Sequence, residues 1–473
     1  MTLLDLPNEL LQCILDASRP HGFESFALTC HRLHDLSQPQ ISSHNQLKKI
    51  YTSVHCRSDS DCAHPYALIQ RIWTRPLAAP YVRRASCSIS PGRRNPPDTQ
   101  HLASDWPTTL SRWLQASLYF ERANVNAGHL ELWRDRMLAC HSGSDVAMLL
   151  TLLPNLEWLA ITGYISESPE IQLQLIDLTI SLIVQDAIAG LSHPLSNLRT
   201  VFIQLYASPA FSVQTLAPFI ALPSLERLLT YSDWAGPLHQ DYNWPYGPHQ
   251  SNLQTFELFD TFTNPSQLQR ILLPMRQLRS FRYLNDDGFC EYLPFLDTAG
   301  CVRSLIDCVG PTLEELTFTG RSGRHTAFES LKAFPKLKRL EIRLVLLSNP
   351  RESSSCPRLI DILPPTLQDL ILWCDTASCP LHTDRLFEGF STHPKQALPK
   401  LERLNLVERH EDHLEDVLQV LRSTGVQVVV DSWSRFRRWY DPLRWWNSWD
   451  WGGQQTRKGA TAPETSAWAT SPN

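Results

Sequence analysis

Pro399-Lys400-Leu401-Glu402-Arg403-Leu404-Asn405-Leu406 joins a proline turn to the pattern LxxLxL, and that pattern returns along most of the chain. It stands at Leu156-Leu159-Ile161, Leu198-Val201-Ile203, Leu225-Leu228-Thr230, Leu253-Phe256-Leu258 and Leu278-Phe281-Tyr283. It continues at Leu313-Leu316-Phe318, Leu337-Leu340-Ile342, Leu367-Leu370-Leu372 and Leu401-Leu404-Leu406. These nine copies divide the 245 residues from Leu156 to Leu401 into eight intervals of about 31 residues, a period typical of stacked repeats.

In x-Leu-x-Leu, alternate side chains of a short strand point to one side and their neighbours to the other. Most copies are preceded by a helical pattern, as at residues 265–273, 301–309, 325–334 and 413–423, and then by a proline or glycine-proline turn. Each unit therefore reads as helix, turn, strand. No unit can bury its apolar edge alone, so the units must stack. The expected fold class is α/β: a leucine-rich-repeat solenoid with a parallel sheet on the concave face and helices on the convex face, preceded by a small all-α motif. The first strand is expected within residues 81–89, where Val82, Ala85, Cys87 and Ile89 are the apolar positions, and the last at 426–430. After the LxxLxL run no regular asparagine recurs, so no asparagine ladder is expected there.

The first forty residues carry a second signal. A helix starts near Pro7, with Leu10, Leu11, Ile14 and Leu15 as its apolar stripe. Arg19-Pro20-His21-Gly22 ends it, a second helix covers residues 23–30, and Leu33 and Leu36 extend the pattern into a third short helix. Three short helices make a thin core that needs a further covering surface.

Leu6-Pro7-x-Glu9-Leu10-x-x-x-Ile14-Leu15, followed by Phe26-Ala27-Leu28-Thr29-Cys30-His31-Arg32-Leu33, resembles an F-box, the motif that docks on the Skp-type adaptor of a cullin-RING ubiquitin ligase. The layout, with degenerate leucine-rich repeats behind it, is similar to F-box proteins common in fungi. The resemblance implies an adaptor-binding set of Leu6, Pro7, Leu10, Ile14, Leu15, Leu28 and Cys30. It implies a non-enzymatic substrate receptor whose repeats hold a protein for ubiquitin transfer. The alternative is an N-terminal cap on a ligase-independent scaffold that binds a protein or RNA. The expected layout is a helical motif at 1–45, a linker at 46–76, the solenoid at 77–432 and a tryptophan-rich cap with a disordered tail at 433–473.

If the strands are placed correctly, the residues between the leucines form the concave surface. The candidate substrate-binding residues there are Trp158, Phe202, Tyr231, Phe259, Arg282, Arg339, Arg343 and Trp373, residue types that concentrate binding energy at protein interfaces. Arg227, Glu315 and Arg403 share that face. Residues 234–249 read as an insertion rich in Pro, Trp and Tyr.

Composition narrows the function classes. Net charge is −5, so no global basic field draws the chain to nucleic acid. The twelve cysteines show no framework spacing and no signal peptide opens the chain, which points to a cytoplasmic or nuclear location. The most apolar stretch, 171–191, contains Asp177 and Asp186, so no membrane span is expected. Phosphate-cradle, nucleophile-elbow and zincin motifs are absent, and no catalytic residue, cofactor or metal is expected. His410 with His413, Cys56 with Cys62 and His64, and Cys374 with Cys379 and His382 are incomplete ligand sets. Seven of the fifteen tryptophans lie from Trp433 onward.

Overall fold

The computed structural model describes residues 3–56, 65–89, 131–133, 135–136, 142–164, 169–206, 213–232, 244–259, 264–284, 297–319, 330–347, 357–374, 386–390, 398–408 and 426–432. The chain forms two compact bodies, residues 1–227 and 228–473.

The first body opens with a 3-10 turn, Leu3–Asp5, and helices α1 (Asn8–Ala17), α2 (Phe23–Ala27) and α3 (His31–Tyr51). Strand β1 (Ser53–Cys56) follows one residue later, then α4 (Pro65–Thr74), a 3-10 segment (Pro76–Tyr81) and β2 (Arg84–Ile89). The pattern goes on through α5 (Ser142–Leu152), β3 (Trp158–Tyr164), α6 (Pro169–Ile188), β4 (Thr200–Tyr206) and α7 (Val213–Ala221). Strand β5 (Arg227–Ser232) begins at the last residue of this body. Strands β1 to β4 pair in chain order and parallel. Helix α5 is buried along nearly its whole length because α4, α6 and β2 all pack against it.

The second body carries β6 (Thr255–Phe259), α8 (Pro265–Leu272), β7 (Ser280–Leu284), α9 (Thr298–Val309), β8 (Glu315–Thr319) and β9 (Arg339–Arg343). After a 3-10 turn (Leu344–Leu346) come α10 (Leu359–Ile362), β10 (Asp369–Cys374), β11 (Arg403–Glu408) and β12 (Gln427–Ser432). Strands β6 to β12 again pair parallel and in chain order. Helix α8 starts where Pro265 predicts it, with Asn264 and Gln267 in a reciprocal capping box.

The LxxLxL leucines build the core. Leu159 and Ile161, Val201 and Ile203, Phe281 and Tyr283, Leu316 and Phe318, and Leu340 and Ile342 are each at most 2% exposed. In register they form continuous rows, Phe256–Phe281–Leu316–Leu340–Leu370–Leu404 and Leu258–Tyr283–Phe318–Ile342–Leu372–Leu406. Where β3 would carry a third large inward residue it has Gly163 instead, because a Cβ there would collide with the Ile89 carbonyl.

The repeat is also written in the backbone. One carbonyl of each unit accepts two successive amides of the next: Arg83 from Glu157 and Trp158, Glu157 from Arg199 and Thr200, Arg279 from Glu314 and Glu315, Glu314 from Lys338 and Arg339. That position follows the first apolar residue of each unit, and its charge alternates in sign within two runs, Arg83–Glu157–Arg199–Glu226 and Arg279–Glu314–Lys338, with the neutral Gln254 and Gln368 interrupting the pattern. Arg83 pairs with Glu157 at 3.4 Å, Arg199 with Glu226 at 3.3 Å, and Glu314 with Lys338 at 2.6 Å. These are solvent-exposed pairs worth about 0.2–1 kcal/mol each, so they favour the register of units that the apolar core already holds together.

Polar residues just before the first leucine satisfy the turns. Asn155 donates to the Pro80 carbonyl at 2.8 Å, Asn197 to Pro154 at 3.2 Å and Thr366 to Leu337 at 2.9 Å. The turns are therefore stapled ahead of the strand, where the sequence reading sought an asparagine only behind it.

Several expectations are corrected. The third helix is not short: α3 has 21 residues and passes through Pro39, whose missing donor costs about 3 kcal/mol in a helix interior. Leu33, Ser37, His44, Leu47 and Tyr51 are all buried along one side of it, and that packing outweighs the proline. Residues 46–76, expected as a linker, contain the end of α3, strand β1 and helix α4. The sheet thus begins at Ser53, and Tyr81 lies in a 3-10 segment ahead of β2. Of the helix expected at 325–334, the described part, 330–334, is a turn fixed by the Leu331 amide donating to the Ile362 carbonyl at 2.8 Å. The segments 413–423 and 433–473 and the ligand candidates Cys62, His64, Cys379, His382, His410 and His413 lie outside the described residues.

Candidate functional site

Helix α1 has two apolar faces. Leu11 and Leu15, one turn apart, are 0% exposed, as is Leu33 of α3. Leu15 packs with Phe23 and Ala27, and Phe26, Leu36 and Ile41 close the cluster. The small core predicted to need outside cover is therefore completed by α2 and α3. Leu15 is corrected from a docking residue to a core residue for this reason.

The other face points away from that core. Leu10 is 50% exposed and Leu28, just after α2, is 75% exposed. Leu3 and Leu4 are 43% and 44% exposed, Pro7 is exposed, and Leu6 and Ile14 are half-buried. Cys30 is half-buried and takes the extended backbone that caps the start of α3. Burying a leucine side chain fully is worth about 1.5–3 kcal/mol, so this face retains driving force that folding has not used.

Arg32 holds the segment in place. Its guanidinium donates to the Leu6 carbonyl at 3.0 Å, to Asn8 Oδ1 at 2.6 Å, and to the Leu4 carbonyl. One side chain at the start of α3 thereby ties the Leu3–Asp5 turn to the start of α1. Sequence reasoning missed it, because its acceptors are mostly backbone carbonyls, which no residue type marks.

His44 joins the helices to the repeats. It is buried, its ring lies 4.6 Å from that of Phe23, Nδ1 is 2.8 Å from the Tyr81 hydroxyl and Nε2 is 3.4 Å from Glu24 Oε1. A carboxylate can only accept, which assigns the proton to Nε2 and makes Nδ1 the acceptor of the Tyr81 O–H. Lys48 donates to the same Glu24 oxygen at 2.7 Å. Burial lowers the His44 pKa from 6.5, partly opposed by the Glu24 hydrogen bond. A lowered histidine means that the unfolded chain binds the proton first. The network's stability is therefore fully present above pH 6.5 and is lost as pH falls from there toward the folded value. The Lys48 hydrogen bond lowers the Glu24 pKa from 4.5, which adds a loss in the same direction at still lower pH. Thermal melts should accordingly show Tm falling as the pH is lowered below 6.5 in the parent, with a smaller slope in His44→Gln. Equal slopes would remove His44 from this role.

The second candidate surface is, in each body taken by itself, the strand face opposite the leucine core. The strand register places seven of the predicted residues there: Trp158, Phe202, Phe259, Arg282, Arg339, Arg343 and Trp373. Tyr231 alternates with the buried Leu228 and Thr230 of β5. Trp158 is half-buried with the Arg84 guanidinium 5.5 Å above its ring. Tyr231 and Arg339 are half-buried, and Arg282 is half-buried and paired with Glu257 at 3.4 Å. Phe202, Phe259, Arg343 and Trp373 are buried, and Ile371, Trp373 and Val407 form an apolar cluster of their own. That face is thus no uniform solvent surface, contrary to the reading of all eight as outward contacts. A buried polar group on that face is Glu341, at 1% exposure, which accepts from Trp373 Nε1 at 3.0 Å and from Thr317 Oγ1 at 3.2 Å. Glu257 occupies the same middle strand position, linked through the register Glu257–Arg282–Thr317–Glu341. The sequence did carry a signal for both: an acid between the two inward residues of the strand, in Phe-Glu-Leu and Leu-Glu-Ile.

Among the described residues no group of three or more His, Cys, Asp and Glu side chains is placed to hold a metal ion. Among them, too, no helix is long and apolar enough to cross a membrane. Burial raises the Cys301 thiol to about 12, leaving it protonated at neutral pH.

Comparison with protein-family models gives no match for this chain, and no curated protein matches it.

Proposed function

We propose that the chain is the substrate-recognition subunit of a cullin-RING ubiquitin ligase, a non-enzymatic F-box protein of the cytoplasm or nucleus. Leu6, Pro7, Leu10, Ile14 and Leu28 dock on a Skp-type adaptor, and Leu3 and Leu4 extend the patch. The leucine-rich repeats hold a protein substrate on the strand face opposite the core. The observation that supports this reading is the division of labour in the N-terminal helices: Leu11 and Leu15 of α1 complete the internal core, while Leu10 of α1 stays half exposed and Leu28, just after α2, three-quarters exposed. A helical cap needs the first set and has no use for the second.

The test is co-purification of the full chain with a Skp-type adaptor, beside a Leu10→Asp/Leu28→Asp variant. Both side chains are exposed, so the variant is expected to keep the parent's Tm and to lose at least about 100-fold in adaptor affinity, as at central interface residues. Equal capture of parent and variant contradicts the patch.

A ligase-independent scaffold is the second reading. It is favoured by the direct passage from α3 into β1 and by the His44–Tyr81 bond, which build the N-terminal helices into the sheet. Failure of the parent to bind any Skp-type adaptor would establish it.

A further inference from the structure

Cys56 of β1 and Cys87 of β2 are register partners on adjacent parallel strands. Both are buried, at 3% and 1% exposure, and as register partners their side chains lie on the same face of the two strands. Neighbouring strands run about 4.8 Å apart, within the Cα separation of about 4.4–6.8 Å that a disulfide spans. We infer that Cys56 and Cys87 are a latent dithiol that closes to a disulfide between β1 and β2 under a two-electron oxidant. The oxidant class is a diazene such as diamide. One thiolate adds across the N=N bond, the second thiol displaces it at sulfur, and the two protons and two electrons leave with the nitrogen pair as a hydrazine. The S–S bond and two N–H bonds form, and the two S–H bonds and the N=N π bond break.

The position gives the bridge a mechanical consequence. Thr52 alone separates β1 from α3, so closing the bridge fixes the end of that long helix to the second strand of the sheet. Among the described residues β1 pairs only with β2, which makes it an edge strand whose opening can admit the oxidant. The neighbouring Cys56 thiol, burial and the Asp145 carboxylate all hold the Cys87 thiol well above its ordinary pKa, so in the closed strand Cys87 stays a thiol. Oxidation therefore waits on opening. The reaction depends only on the fold and stands or falls apart from adaptor docking.

The experiment treats the full native chain with diamide, quenches free thiols with an alkylating agent and maps peptides without reduction. A peptide joining Cys56 to Cys87 is expected, with a Tm rise of about 5 °C for the first body that a dithiol reductant reverses. Cys87→Ala should show neither. Coupling of Cys56 to Cys62, or a Cys56–Cys87 pair still reduced after the exposed Cys13 has been consumed, overturns the inference. The parent's peptide map decides this even if the variant fails to fold.

Discussion

Phe318→Ala is expected to lower the stability of the second body by about 3–5 kcal/mol, the range for truncating a buried phenylalanine. Phe318 of β8 is 0% exposed and stacks on Tyr283 of the preceding strand, β7, at 4.9 Å and 18°. The inner row continues through Leu258 and Ile342, so the vacated volume is walled by residues that are themselves fixed in register and cannot collapse into it. Loss of the aromatic pair adds about 0.5–1.5 kcal/mol beyond the area term. Chemical denaturation followed by near-ultraviolet dichroism measures it. A loss below about 1 kcal/mol would mean that the row is loosely packed and the stacked-repeat account of the core is wrong.

The second large effect separates the two faces of α1. Leu15→Ala should destabilise the first body by about 2–5 kcal/mol, whereas Leu10→Ala should leave stability within about 0.5 kcal/mol of the parent. Both remove the same atoms from the same helix. Only Leu15 is 0% exposed and packed on Phe23 and Ala27, while Leu10 is 50% exposed. Urea melts of the two variants decide it, and equal losses would mean that Leu10 is a core residue and the docking surface is misassigned.

The strands of the repeats were legible because an alternation of period two needs only local sequence. Leu337-Lys-Arg-Leu340-Glu-Ile342 must turn Leu340 and Ile342 to one side whatever surrounds it, and β9 does so. Strand β1 was not legible, since Ser53-Val54-His55-Cys56 is short, lacks LxxLxL and earns its place by pairing with β2. The length of α3 was hidden by Pro39, a local signal that packing of Leu33, His44 and Leu47 overrides. For the candidate sites, the strand register fixes which face a residue occupies but not its burial. Arg343 and Trp373 lie on the predicted face and are nonetheless buried, because burial is set by contacts far away in sequence. In the N-terminal helices the apolar stripe Leu10, Leu11, Ile14 and Leu15 was evident as one band. Its division into a core half and a free half depends on where α2 and α3 pack, which no helical period encodes.

Adaptor docking at the N-terminal helices is tested most directly by amide hydrogen exchange of the full chain with and without a Skp-type adaptor. The account predicts slowed exchange in peptides covering residues 3–14 and 26–30, with the strands of both bodies unchanged. Unchanged exchange at 3–14 and 26–30, or protection confined to the strands, would contradict it.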